Sequence, residues 1–275
     1  MSAADPVMCA RTLIREYQLR SPIEIDVEGL AALRGAIVRR ERLVGCEGRL
    51  VKRGNHGIIS VRADIAEIGR ERFTIAHELG HFELNHSSAE LMICADNDLQ
   101  PWNNKSKTTE TLANLFAAEL LMPEVMFKPF CVNEEPSLAL IENLADEFRT
   151  SLQATALRYV GFSPHRVATV VSRQDRIEWF KASDDFGFFI ERGKKLDFNS
   201  LASAFFSGGK LPTDMRVVPT GAWIDDRRAS SRVRILEQSK GFNNYGFVLS
   251  LLWIDESQDD ELDEVDEFGE EGRWS

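Results

Sequence analysis

His77-Glu78-Leu79-Gly80-His81 is the stretch on which the reading of this chain turns. On an α-helix, residues four apart are offset by about 40° and rise by about 6 Å, so both imidazoles point the same way. Two convergent imidazoles can hold one zinc ion. Glu78 can reach a water at that ion without being a ligand. A zinc ion lowers the pKa of its water from about 15.7 towards about 7, so a nearby carboxylate can take the proton at neutral pH. The approach to the motif, Glu71-Arg72-Phe73-Thr74-Ile75-Ala76, contains neither Gly nor Pro. Phe73, Ile75, Ala76, Leu79, Phe82 and Leu84 supply the apolar faces of a buried helix. Histidines buried on such a helix need partners.

A catalytic zinc site takes three protein ligands and leaves one position open. Downstream donors are His86, Glu110 and Glu119. His86 stands five residues beyond His81, about 140° away on a continuous helix, so it can ligate only if the helix ends near Asn85. Glu110 and Glu119 share a second helix, read as Thr108 to Met122 and stopped by Pro123. Nine residues apart, they point about 180° from each other. Glu110 shares its face with Asn114, Ala117 and Leu121, which are small or polar near the carboxylate and would admit a metal-bearing neighbour. Glu119 lies among Leu112, Leu115 and Phe116. Glu110 is therefore the favoured third ligand, with Asn114 hydrogen-bonding behind the ligands.

Outward from these two helices the pattern predicts an α+β fold. Pro6 to Leu19 reads as a helix with Val7, Met8, Leu13, Ile14 and Tyr17 inward. Asp26 caps a short helix through Leu33, ended by Gly35. Ala36–Glu41, Arg49–Arg53 and Gly57–Val61 read as strands of a small sheet, and Ser87 to Lys107 as a polar loop. Helices follow over Ser137–Phe148 and Ser151–Val160. Beyond Gly161-Phe-Ser-Pro164 strands are expected at Val167–Ser172, Arg176–Phe180, Gly187–Glu191, Ala222–Ile224, Arg232–Glu237 and Gly246–Ile254, with a helix near Leu201–Phe206. The domains expected are a mainly helical domain that carries the zinc motif, with a small sheet (1–130), a helix-turn-helix-like segment (131–163), an antiparallel-sheet α+β domain (164–254) and an acidic disordered tail (255–275).

Composition narrows the function classes. With 275 residues and 43% apolar content, the chain can build a large core. The net charge is −11, yet residues 255–275 hold eleven acids and one base, leaving −1 for the remainder. A near-neutral globular part argues against non-specific DNA binding. In the segment 138–160, Gln153 and Arg158 are nearly the only groups suited to touching DNA, so a helical pair packed on the core is the better reading. No run is long enough to span a membrane, the N-terminus has no signal pattern, and Cys9, Cys46, Cys94 and Cys131 lack C-x-x-C spacing; a cytoplasmic protein is expected. Nine of seventeen phenylalanines fall in 164–254 and read as core. The tail reads as a solubilising end, with steering of a basic partner as the sharper alternative.

Arg72-Phe-Thr-Ile-Ala-His-Glu-Leu-Gly-His81, followed by Glu110-Thr-Leu-Ala-Asn-Leu-Phe-Ala-Ala-Glu-Leu-Leu-Met-Pro123, resembles the ImmA/IrrE family of metallo-endopeptidases. The resemblance covers about residues 10–160. It is also similar to the wider gluzincin scheme, in which a downstream Glu completes a His-His-Glu site. Many gluzincins carry an Asp four residues after that Glu; here the position is Asn114. The resemblance implies a cytoplasmic zinc peptidase that cleaves a specific regulatory protein, often a helix-turn-helix repressor, to switch on a stress, mobile-element or defence response. By carry-over His77, His81 and Glu110 are ligands of one Zn2+ and Glu78 is the general base; the C-terminal domain would be sensor-like. The oxyanion needs a further donor, for which His86 and Tyr159 are the candidates. The rival function is a zinc-containing transcriptional regulator that acts by protein or DNA binding without proteolysis.

Overall fold

The computed structural model describes residues 5–84, 92–94, 109–224 and 233–254. Backbone contacts divide the chain into two compact units, Met1–Phe130 with Glu142–Arg158, and Cys131–Ile141 with Tyr159–Ser275. Residues 142–158 fall in the first unit, and residues 131–141 and 159–163 in the second. The class is α+β, with one sheet of mixed direction and one antiparallel sheet.

The first unit opens with α1 (Pro6–Glu16), whose N-terminal amides of Val7 and Met8 donate to the Asp5 carboxylate at 2.9 and 3.3 Å. Leu13 and Ile14 face inward as expected, but Met8 is 47% exposed and Ala10 takes the buried place. Asp26 caps α2 (Val27–Leu33) through the Glu28 amide, and Gly35, at φ +94°, turns the chain out of it. Strands β1 (Ala36–Glu41), β2 (Gly48–Arg53), β3 (His56–Arg62) and β4 (Met92–Cys94) form a sheet in the order β1-β3-β2-β4. β1 runs parallel to β3, and the other pairs are antiparallel. The short β4 lies within the stretch read as a loop. Leu50, Ile59 and Val61 of the sheet bury themselves with Ile75 and Leu79 of α3 (Ile68–Glu83) and with Phe116 and Leu120 of α4 (Thr109–Leu121).

Pro123 ends α4 as predicted, but the chain at once starts α5 (Glu124–Val132), which periodicity did not reveal. α6 (Leu138–Phe148) and α7 (Leu152–Phe162) match the expected pair, with Arg149 at φ +53° between them. Arg158 points inward. Its guanidinium donates to Glu119 and, at 2.8 and 3.1 Å, to the carbonyl of Met122, the residue just after α4. Arg11 of α1 reaches the same Glu119 at 2.7 Å. The Glu119 side chain is only 3% exposed, so its charge is held by two arginines from two other helices.

The second unit carries β5 (Arg166–Arg173), β6 (Arg176–Ala182), α8 (Leu201–Phe206), β7 (Arg216–Val218), β8 (Ile235–Phe242) and β9 (Phe247–Ile254). The sheet order is β6-β5-β9-β8-β7, antiparallel throughout. Gln174 and Asp175, at φ 51° and 60°, make the two-residue turn between β5 and β6. Two expected strands are absent. Gly187–Glu191 is irregular chain that sends Ile190 into the core, and Ala222–Ile224 follows a 3-10 turn. Ile190 in the first run and all of Ala222–Ile224 are buried, and an apolar pattern alone cannot separate such chain from a strand. Phe186 is core and Phe188, Phe205 and Phe206 pack against it, whereas Phe189 and Phe198 are exposed. Beneath α8, buried Glu237 accepts from the Leu201 and Ala202 amides, Trp223 Nε1 and Ser239 Oγ at 2.7–2.9 Å. Burial pushes this carboxyl above its ordinary range, against the pull of those four donors.

Removing Glu119 would leave Arg158 buried without its counter-ion. Glu119→Ala is expected to destabilise the fold by about 3–5 kcal/mol, read as a fall in the denaturant midpoint. Asp5→Ala, which removes only a helix cap, should cost about 1 kcal/mol in the same assay.

Candidate metal centre

The long α3 is buried along most of its length because it lies between the sheet and α4, and His77, Glu78 and His81 have no exposed surface. Their directions follow from helical spacing. His77 and His81 face α4, while Glu78 and Thr74 lie one turn apart and face β2. Gly80 sets how near α4 comes. A β-carbon there would stand 3.0 Å from Phe116 Cδ1 and 3.2 Å from the Cα and carbonyl oxygen of Ala113. The bare backbone lets the two helices approach, and that approach brings the first turn of α4 over the imidazoles.

Three ligand-type atoms then converge. His77 Nε2 and His81 Nε2 are 3.0 Å apart, and Glu110 Oε2 lies 3.1 Å from the first and 3.4 Å from the second. In a tetrahedral zinc site with bonds near 2.0–2.1 Å, neighbouring ligand atoms are about 3.3 Å apart. The spacing and the donor set, two imidazoles and a carboxylate, therefore fit such an ion. These are the residues that can hold a metal among the described part of the chain. Asn114, one turn after Glu110, places Oδ1 2.8 Å from His77 Nδ1. The amide oxygen accepts from Nδ1–H, which leaves the lone pair on Nε2, facing the convergence point.

The Glu110 side chain is 28% exposed, so the cluster is reached from solvent past this carboxylate. Burial opposes its ionisation, but the neighbouring His77 and His81 rings outweigh that and hold the carboxyl well below its ordinary range. Glu119 belongs to the arginine cluster on the opposite side of α4. His86 lies outside the described residues. Tyr159 is fully buried on α7 in the second unit, and burial pushes its phenol up to about 12. Gly80 was present in the sequence as the small residue inside the motif, yet nothing in the spacing marked it as the contact with α4.

Residues 47–159 match the family model of the IrrE N-terminal-like domain, a peptidase family. Over this span the chain is similar to that domain. The matched span contains His77, Glu78, His81, Glu110 and Asn114, so the similarity covers the whole cluster. Among solved structures, the chain is similar to a Mycobacterium tuberculosis transcriptional regulator at 14% identity. That match covers 91% of this chain and 76% of the other, with a TM-score of 0.54, and shows a shared fold. None of the curated proteins compared matches this chain.

Asn114 bonds to His77 and is not one of the three clustered ligand residues, so its loss should loosen a bound ion without removing a ligand. Asn114→Ala is expected to weaken zinc affinity about 10–100-fold, measured by competition with a chromophoric chelator.

Proposed function

We propose that the part of this chain similar to the IrrE N-terminal-like domain is a zinc-dependent, site-specific endopeptidase. The observation that carries the reading is the convergence of His77, His81 and Glu110 with Glu78 buried on the next strip of the same helix. The substrate we propose is a regulatory protein in the cytoplasm, a helix-turn-helix repressor above all, whose cleavage would release a stress, mobile-element or defence response. The family match supports a protein substrate. Among the described residues no helix is long and apolar enough to cross a membrane.

His77, His81 and Glu110 would hold the zinc, and Asn114 would keep His77 in the tautomer that can ligate. A bound zinc supplies Lewis acidity towards a water and a peptide carbonyl. Glu78 takes the proton from the attacking water and returns it to the leaving amine. Its burial against the sheet keeps it out of bulk water, so the proton is not lost between the two steps.

Glu78→Gln preserves size and leaves all three ligands in place. It should retain zinc at wild-type stoichiometry and lower cleavage by about 10²–10⁴-fold. The check is a profile of protein N-termini in host cells expressing either form, with and without stress. New termini in one protein, seen with wild type alone, would support the reading and name the substrate. Identical profiles, with zinc bound in both forms, would replace it with a regulator that acts by contact.

A further inference from the structure

Strand β2 begins at Gly48, which pairs with Val61 of β3 and Cys94 of β4. Its φ lies outside the left-handed region, so the backbone does not require glycine here. Glycine in a strand also costs about 0.5–1 kcal/mol relative to alanine. The surrounding space explains its presence. A β-carbon on Gly48 would overlap Glu78 Oε1 and would lie 2.8 Å from Thr74 Cγ2 and 3.1 Å from Glu78 Cδ. The Glu78 carboxylate occupies the volume that any other side chain at position 48 would fill.

The residue before this notch is fastened on two sides. Glu47 has no exposed surface, and its carboxylate accepts from Arg62 Nη2 at 2.8 Å and Arg70 Nε at 2.7 Å. Arg62 closes β3, and Arg70 lies in the first turn of α3. The Arg62 amide also donates to the Glu47 carbonyl at 2.9 Å. A buried carboxylate is tolerated only when paired, so the two arginines fix where Glu47 sits between sheet and helix. Thr74 Oγ1 donates to the Arg70 carbonyl at 3.0 Å, which holds its methyl on the β2 side.

We infer that Glu47 and Gly48 form a seat for the Glu78 carboxylate and act as positioning residues for it. Gly48 contributes by being bare, and Glu47 by setting the distance between β2 and α3. With the strand as a wall on one side, the carboxylate is confined to the strip between β2 and the imidazoles, roughly 60° around α3 from His81. The inference rests on the peptidase reading, in which Glu78 moves the proton.

The test uses the full-length, zinc-loaded chain as wild type, Gly48→Ala, Glu78→Gln and the double variant. The readouts are bound zinc and the rate at which the protein identified by N-terminal profiling is cleaved. Gly48→Ala should bind zinc as wild type does and cleave about 10–100-fold more slowly, the scale of a displacement near 1 Å. In the Glu78→Gln background the same substitution should cause no further loss. Adding Thr74→Ser, which removes the methyl beside the new one, should restore part of the rate. Wild-type cleavage by Gly48→Ala, with Glu78→Gln inactive, overturns the seat and leaves the peptidase standing. Equal loss in both backgrounds also overturns it, because the effect would not pass through Glu78. Should Gly48→Ala fail to fold, Glu47→Asp shortens the fastener by one methylene; zinc retained with an unchanged rate then sinks the inference. Cleavage by Glu78→Gln at the wild-type rate ends the peptidase reading, and the seat with it.

Discussion

The close approach of α3 and α4 is the constraint from which the candidate metal centre follows. Imidazoles reach only a few ångströms from their helix, and a carboxylate on a second helix meets them only if the two backbones come near contact. Gly80 against Ala113 and Phe116 provides that nearness. The apolar packing of Leu79, Phe116, Ala117 and Leu120 supplies the free energy that keeps it. The polar groups of the centre are thus brought together by a hydrophobic seam and do not have to hold the helices themselves. The same seam explains why Glu110 and Glu119 have separate fates. One side of α4 faces the imidazoles, and the opposite side faces α1 and α7, where Arg11 and Arg158 wait for a carboxylate.

Much of this was legible in the sequence because helical geometry is rigid. Four-residue spacing placed His77 and His81 together, and nine-residue spacing separated Glu110 from Glu119. Small and polar neighbours then favoured Glu110, the glutamate that lies beside the imidazoles. Asn114 was found by the same arithmetic. What stayed hidden were contacts made by absence. Gly48 and Gly80 act through the side chain they lack, and a glycine leaves no chemical signature of what will occupy its space. Arg158 was read as one of two groups suited to DNA. Its burial against Glu119 depends on a tertiary neighbour 39 positions away, which local pattern cannot supply.

The second unit was less legible, for a related reason. Strands β5 and β9 were found, since long apolar runs between turn residues are strongly marked, whereas the run read at Arg232–Glu237 meets β8 only over Ile235–Glu237. The misses came where the chain buries apolar side chains without forming a ladder. Phe186, Ile190 and Ala222 to Ile224 fill the core from outside any strand, and there Trp223 finds a partner in Glu237. Composition reports that such residues are inside; it does not report whether their amides are paired with a strand.

The two histidines and Glu110 come from helices joined by a connection longer than either, so an ion held among them would also cross-link distant parts of the chain. Whatever binds the native state and not the unfolded one stabilises it, by about 1.4 kcal/mol for each tenfold rise in free ligand above its dissociation constant. The persistence of this domain in a cell would then track the supply of free metal. In scarcity the protein would be lost by local opening and turnover, as well as idled by an empty site.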